Sequence, residues 1–465
     1  MRHNLDMDFD LPESGPTAEP ADHHRPGPGW VFFILVLLFA IGSQLPGYIS
    51  KEPEEKKEQA YRQVGTALKL QFLSAESAKA ITSTEAPPLD IAETKRRLDP
   101  YLKQNDAQAS ALWVATQQAA GKKIDPKDLV PLERSQIPYF KSIARVYQTE
   151  KFTEAEADAL AKELTKGITG KISAVEAYRR AGVKKPIERV FTPWELHRSN
   201  LFVLIMLMVL GLAVVLWIIY GAMRAQGKLI PAGPPTGHLT AQDADRFAFK
   251  AGTMLLLPMA VPFLISPFFS KDSGPIVNLT YYAVMIVAIL VVARAPVFGK
   301  TFTLRKIGWR KDRLLSDAGW GLAATIANVP VLLIVAKISD LAFQGLPEPE
   351  HPAAVAMASN PSIWTIVITM FAASIAAPII EETMFRGFLV PALARATGGF
   401  VGAWIVGGVA FAAVHPTGIP AWLPLAAIGA MAAMLNYQTN SLVSSVFMHA
   451  FHNLATLAVA LLILN

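Results

Sequence analysis

Residues 362–390, "SIWTIVITMFAASIAAPIIEETMFRGFLV", form an apolar run that carries two glutamates and one arginine toward its end. About 20 apolar residues are enough to cross a bilayer as a helix. A carboxylate or guanidinium at bilayer depth costs about 2.5 to 3.5 kcal/mol on insertion scales. The run therefore predicts a membrane helix whose charges either neutralise one another or serve a function.

The composition of the whole chain also indicates a membrane protein. Of 465 residues, 52% are hydrophobic and 17% charged, and the mean hydropathy is +0.33, above the usual mix of a soluble domain. The net charge of +6 comes without a helix-turn-helix or stacking-aromatic pattern, so we expect no nucleic-acid partner. Since there is no cysteine, any metal must be held by histidine and by carboxylate or amide oxygen.

The N-terminal part is divided by composition into three segments. Residues 1–29 are rich in proline, glycine and acids, which predicts a disordered tail. Residues 30–50 predict a first transmembrane helix, an anchor rather than a cleaved signal, because no small-residue cleavage site follows. Residues 51–198 are charged with apolar residues at helical spacing, and Thr153 is a typical N-cap. We expect a soluble helical domain there that binds a ligand or a protein.

The remainder consists mostly of apolar segments of membrane-spanning length, with helices and a loop at 199–279 and a membrane domain at 280–465. The predicted spans are 201–222, 247–269, 275–296, 316–343, 362–390, 400–415, 421–437 and 440–463. Lys and Arg are frequent in the loop 294–313 and missing from 344–361, so the first is predicted to be cytoplasmic and the second external. Counting spans backwards places 51–198 outside. The predicted fold is an all-α polytopic transmembrane bundle with an inserted extracytoplasmic helical domain.

Three groups of polar residues lie in the apolar segments, where each is a candidate functional group. Glu382 and Arg386 are four residues apart and meet on one helix face, whereas Glu381 points about 100° away. The first two can neutralise each other, which leaves Glu381 free. A structural alternative is that the group lies at the cytoplasmic end of its helix, where charges are ordinary.

The second and third groups supply imidazoles and an amide. His415 ends an apolar run one turn after Phe411, and His449 and Asn453 share a face of the last span. Hydrogen bonding between packed helices is the structural alternative for each of them. The run 400–415 is short, and a full crossing would carry His415 away from Glu381, so we expect it to be tilted or partial.

Together these groups suit the hydrolysis of an amide bond within the membrane. A carboxylate in a low-dielectric site can act as a general base toward water. Histidine and asparagine can hold a metal that acidifies this water, or stabilise the oxyanion of a tetrahedral intermediate. The chain has no G-x-S-x-G, no H-E-x-x-H and no phosphate-binding glycine loop.

In this order and context, Glu381-Glu382-x-x-x-Arg386, Phe411-x-x-x-His415 and His449-x-x-x-Asn453 resemble the three motifs of the CPBP family of intramembrane proteases. This family, formerly called Abi, includes the CAAX prenyl endopeptidases and bacteriocin-processing enzymes. The resemblance spans roughly residues 280–463. The long N-terminal part departs from a minimal family member, which leaves the substrate open.

The resemblance implies a role for each matching position. Glu381 would activate the attacking water, Glu382 with Arg386 would shape the site, and Phe411 would pack beneath it. The residues that would bind a metal or stabilise the oxyanion are His415, His449 and Asn453. Zinc or another divalent ion is the implied cofactor, with His415 and His449 as candidate ligands.

The function expected on this basis is an intramembrane endopeptidase, a hydrolase or metalloprotease, acting on membrane-associated proteins or peptides. Two alternatives remain: a non-catalytic scaffold or immunity protein, and a proton-coupled transporter that uses the same buried residues. The expected partners are membrane lipids, the substrate and an extracytoplasmic ligand of 51–198. The expected location is a cell membrane crossed several times, the inner membrane of a bacterium.

Overall fold

The protein is described here from a computed structural model covering residues 27–49, 53–82, 91–269, 275–343, 346 and 362–464. These described residues are 81% helical and contain no β-strand. The predicted all-α fold is therefore confirmed. The tail predicted for residues 1–29 lies almost wholly outside the described residues.

Among the described residues nine helices are apolar, and seven of them are long and apolar enough to cross a membrane. The other two, near the N-terminus and before His415, have shorter apolar stretches, Pro28–Gln44 and Phe400–Ala413. In chain order, the nine are α1 (Pro28–Ile49), α10 (Pro193–Ala225), α11 (Ala241–Ile265), α12 (Pro275–Arg294), α13 (Leu314–Ala342), α14 (Ile363–Ala396), α15 (Phe400–Ala413), α16 (Trp422–Thr439) and α17 (Leu442–Leu464). The polytopic bundle expected from the sequence is thus present.

Eight helices of the described residues lie between α1 and α10 and pack around apolar clusters of their own. Local signals in the sequence set their ends: Asp106 accepts hydrogen bonds from two backbone N–H groups of the fourth helix, and Thr153 and Glu156 form a capping box. Their bounds are α2 (Pro53–Thr82), α3 (Ile91–Leu102), α4 (Ala107–Ala119), α5 (Pro126–Arg134), α6 (Pro138–Gln148), α7 (Glu154–Leu164), α8 (Ile168–Arg180) and α9 (Pro186–Val190).

Within the apolar bundle, α15 packs along α16, α13 along α17, and α1 along α11. The loops that precede α11, α13 and α17 meet at one end of the bundle. There the backbone N–H of Leu442 donates to the carbonyl of Gly308 over 2.8 Å, and the Asn440 amide donates to the carbonyl of Gly233. The loops that the positive-inside rule assigns to the cytoplasm therefore lie together.

Candidate active site

Helix α14 carries the first group of predicted site residues in an unusual backbone. It contains two π-helical stretches, Ala372–Ala376 and Thr383–Leu389, separated by the α-helical turns of Ala377–Glu382. Such π-turns inside α-helices are frequent at functional sites. They could not be predicted from the sequence, since apolar periodicity does not distinguish a π-turn from an α-turn.

The length of α14 places Glu381 deep in the bundle. At 1.5 Å per residue, Glu381 lies about 27 Å from Ile363 and about 22 Å from Ala396. Helix α15 starts at the end where α14 stops, and His415 follows its last turn about 22 Å from Phe400. Glu381 and His415 thus reach the same depth, because α14 is longer than a bilayer requires and α15 is too short to cross one.

Glu382 and Arg386 form the predicted ion pair, with Arg386 Nη1 2.9 Å from Glu382 Oε1. Both side chains are only 1% exposed. The other guanidinium nitrogen, Nη2, donates to the carbonyl of Gly429 in α16 over 2.8 Å. The guanidinium also lies 4.7 Å above the Phe411 ring, a cation–π geometry. The pair therefore ties α14 to α15 and α16.

Glu381 is the carboxylate that the ion pair leaves free. Its Oε2 lies 3.5 Å from His415 Nε2 and 3.9 Å from His449 Nε2. Both separations exceed the 2.7–3.2 Å of an ordinary N–H···O hydrogen bond, and this oxygen is buried with no hydrogen-bond partner among the described residues. Two imidazoles from different helices thus converge on one carboxylate oxygen.

The partners of the two imidazoles determine which ring nitrogen carries the proton. His415 Nδ1 lies 2.6 Å from the carbonyl of Phe411, and His449 Nδ1 lies 3.0 Å from Glu382 Oε1. A carbonyl and a carboxylate can only accept, so each imidazole donates from Nδ1. In the neutral form, both Nε2 atoms therefore present a lone pair toward Glu381, and a proton, a water or a cation is needed between them and the carboxylate.

Asn453 reaches the same region from the next turn of α17. Its Nδ2 donates to the carbonyl of Ala373 over 2.7 Å. That carbonyl is available because the N–H of Ala377 donates to Ala372 and the next residue, Pro378, has no N–H. One amide hydrogen is thus used to orient Asn453, and the second remains to donate to a bound group.

These side chains line a cavity of about 430 Å³, called here the site cavity. Its walls come from α12, α14, α15, α16 and α17, and its polar groups include Glu381, His415, His449 and Asn453. Phe411 also lines it, with its ring centre 4.5 Å from that of His415. The structure therefore brings all seven predicted residues together, with Glu382 and Arg386 behind the cavity wall.

The donors in the site cavity suit a divalent metal in chemistry and orientation. Two imidazoles and a carboxylate are a common catalytic zinc set, and ligating histidines usually donate their other N–H to a carboxylate or a carbonyl. In a tetrahedral site with metal–ligand bonds of about 2.0 Å, the ligand atoms lie about 3.3 Å apart. His449 Nε2 lies 3.9 Å from Glu381 Oε2, so it would have to move closer to share a metal with it. Within the described ranges, no three or more His, Cys, Asp or Glu side chains already form a metal-holding group.

Some residues that hold the site in place were not identified from the sequence. Gly429 supplies a carbonyl to Arg386, and the Trp309 indole donates over 3.2 Å to Thr383, whose hydroxyl donates to the carbonyl of Ile379. Small residues in membrane helices signal close packing, so Gly429 could have been singled out. Trp309 lies in a polar loop, where nothing in the pattern marks it.

The fold and the site together define a polytopic helical membrane protein in which two histidines face a buried carboxylate oxygen of Glu381. Residues 363–455 match the family model described as "Rce1-like: Type II CAAX prenyl endopeptidase Rce1-like". The match supports the CPBP/CAAX protease family and a CAAX-type protease for this segment of the chain. It contains all seven predicted residues and is narrower than 280–463. No curated protein and no solved structure matches the chain significantly.

Proposed function

We propose that the protein is an intramembrane endopeptidase that hydrolyses peptide bonds of membrane-associated proteins or peptides, with Glu381 as the general base. The observation that carries this proposal is the free Oε2 of Glu381, buried at the wall of a 430 Å³ cavity and faced by two imidazole nitrogens. A carboxylate with no permanent partner, next to space for a substrate, is suited to accept a proton from water.

In the proposed reaction, a water molecule beside Glu381 attacks the carbonyl carbon of the scissile bond while its proton passes to Glu381 Oε2. The second amide hydrogen of Asn453 stabilises the oxyanion. The C–N bond then breaks, and Glu381 returns the proton to the departing amine. Glu381 returns to its initial protonation state, so the hydrolysis of the peptide bond needs no co-substrate other than water.

Behind the cavity wall, Glu382 holds His449 in the tautomer whose Nε2 faces Glu381, and Arg386 neutralises Glu382. A neutral His449 with Nδ1 donating cannot donate from Nε2, so only its cationic form would assist Asn453 at the oxyanion. The residues that would hold a zinc ion are His415, His449 and Glu381. When bound, such an ion would lower the pKa of its water and polarise the substrate carbonyl.

The proposed location is a cell membrane, the bacterial inner membrane, with the helices α2–α9 outside. A cavity of about 710 Å³ in this helical part supports the proposal that it binds an extracytoplasmic ligand. Its walls are largely apolar and aromatic and include Leu112, Tyr139, Phe140 and Ile168. Recruitment of a substrate from that side would explain why these helices are inserted before the membrane bundle.

The proposal is tested by comparing new protein termini in membranes that contain the parent protein or its Glu381→Gln variant at equal abundance. We expect a set of new N-termini in membrane-associated proteins that requires Glu381. The same set in both samples would contradict the proposal and favour a scaffold or a transporter. A Glu150→Gln variant, changed at an exposed loop position, serves as the matched control and keeps the parent pattern.

The metal is tested by measuring the zinc content of the purified parent protein and of His449→Ala. If zinc is bound by the proposed ligands, the parent holds about one ion per chain and the variant loses it, because one of three ligands is missing. Thr456→Val, which changes another residue of the same cavity wall, is the control and retains the ion. Fully active parent protein without zinc would contradict zinc ligation.

A further inference from the structure

A second cavity, of about 270 Å³, lies beyond the Glu381–His415 contact and is called here the side cavity. Glu381 and His415 line both cavities, whereas His449 and Asn453 line only the site cavity. The reacting carboxylate therefore stands between two spaces. Only one of these spaces contains the amide proposed to stabilise the oxyanion.

The first helix of the chain forms one wall of the side cavity, with Ala40, Ser43 and Gln44. Gln44 Nε2 donates over 2.9 Å to the carbonyl of Val414, the residue before His415. Helix α1 lies far outside the segment 363–455 that matches the family model. An element of the N-terminal part of this chain thus reaches the reacting centre.

Helix α1 is also fixed at its other end. The carboxylate of Asp245 in α11 accepts hydrogen bonds from the backbone N–H groups of Gly29 and Trp30, at 3.2 and 3.1 Å. The N–H groups of a first helical turn lack the usual carbonyl partner four residues earlier in the helix, and the Trp30 N–H also reaches the carbonyl of Gly27 over 3.1 Å. The negative charge of Asp245 suits the helix N-terminus. The wall that α1 provides is therefore held by side-chain contacts at both ends.

We propose that the side cavity is the subsite for the residue that follows the scissile bond, which makes α1 a determinant of cleavage specificity. This inference rests on the proposed function. With the carbonyl placed near Asn453 in the site cavity, the chain beyond the scissile nitrogen continues past Glu381. Glu381 lines both cavities. It takes the proton of the attacking water in the site cavity and delivers it to the departing amine where the two cavities meet.

The lining of the side cavity defines the residue that it accepts. Four methionines and two tyrosines line the side cavity together with α1: Met254, Met259, Met285, Met384, Tyr281 and Tyr282. Methionine side chains are flexible and polarisable, so they adapt to apolar groups of different shape. The subsite therefore favours a large apolar residue, such as leucine, isoleucine, methionine or phenylalanine.

The test reads the first residue of every Glu381-dependent new N-terminus in membranes that contain the full-length protein. In the parent, large apolar residues are enriched at this position. In Ser43→Phe, which fills the cavity from an exposed position of its wall, the ratio of large to small first residues falls about tenfold, the scale expected for filling an apolar pocket. The distribution of amino acids immediately before the scissile bond does not change, because that residue does not occupy the side cavity.

Two further variants keep the result interpretable. Met259→Trp fills the same cavity from α11 and gives the same shift if Ser43→Phe disturbs folding. Leu38→Phe, at an exposed α1 position that does not line the cavity, leaves the profile unchanged. Unaltered first-residue profiles in both filling variants, as expected for a lipid-filled cavity, would overturn the inference. Termini independent of Glu381 would instead overturn the proposed function.

Discussion

Arg386 is the residue on which the internal geometry of the site depends most. It neutralises Glu382, donates to the carbonyl of Gly429 and lies over the ring of Phe411. Glu382 in turn holds His449. A single guanidinium therefore joins three helices and, through one carboxylate, sets the direction in which an imidazole presents its free nitrogen.

Replacing Arg386 by methionine is expected to destabilise the protein by about 3 to 5 kcal/mol, because the charge of Glu382 would remain buried without its partner. The double variant Glu382→Gln/Arg386→Met should recover much of this loss. Unfolding in mild detergent, followed by circular dichroism, measures both. Arg395→Met, at an exposed position near the end of the same helix, is the control, and an equal loss in it would contradict the argument.

Residue spacing was enough to predict the ion pair and the free carboxylate, since positions four apart meet on a helix face whatever surrounds them. It was not enough to predict which backbone atoms complete the site. The carbonyls of Ala373 and Gly429 accept from Asn453 and Arg386. Their availability depends on a π-turn before a proline and on the close approach of two helices, neither of which apolar periodicity encodes.

At the level of elements, the contact between α15 and α16 positions both His415 and the acceptor of Arg386. Two glycines allow the contact: a Cβ on Gly429 would lie 2.9 Å from the Cα of Gly408, and a Cβ on Gly408 would lie 2.6 Å from the carbonyl oxygen of Ala426. Real Cβ atoms essentially never lie so close to other atoms. The backbones touch there because neither residue has a side chain.

Gly429→Ala is therefore expected to separate α15 from α16, with a cost of about 1 to 3 kcal/mol and a large loss of cleavage, because Arg386 and His415 shift together. Thermal unfolding and cleavage by the purified variant measure the two effects. Gly211→Ala, in α10 where an added Cβ meets no atom within 4 Å, is the control. A Gly429→Ala variant as stable and active as this control would contradict the tight contact.

The helices themselves were largely predictable, because runs of apolar residues are long and loops are polar. The differences lie at the ends: α10 begins at Pro193 and α14 continues to Ala396, beyond the predicted 201 and 390. In α10 the extension carries polar residues such as Glu195 and Arg198, which hydropathy leaves out. It is the added length of α14 that brings Glu381 to the depth of His415.

For the whole molecule, the positive-inside rule and the meeting of the loops before α11, α13 and α17 lead to one orientation. In this predicted orientation, the loop 294–313 faces the cytoplasm and α2–α9 lie outside. Because the chain has no cysteine, the labelling of a single introduced cysteine shows on which side of the membrane that position lies. Lys122→Cys should react with a membrane-impermeant maleimide in intact cells, whereas Lys311→Cys should react only after lysis; both positions are exposed. The reverse pattern would contradict the orientation.

Helices α1 to α10 extend the molecule well beyond the segment 363–455 that matches the protease family. Within the described residues, α1 contributes to the side cavity, α10 packs against α13, and α2 contacts α17. The N-terminal half is therefore joined to the rest of the membrane bundle by packing.

The central claim is that Glu381 activates water for peptide hydrolysis, and the cleavage rate of a peptide that spans a Glu381-dependent site tests it most directly. The purified full-length protein, reconstituted in lipid, should cleave this peptide at the bond identified in membranes. Glu381→Gln should lose about 10² to 10⁴-fold in rate, the range that general base catalysis contributes, while its unfolding temperature stays close to that of the parent. Equal rates in the folded variant and the parent would contradict the account.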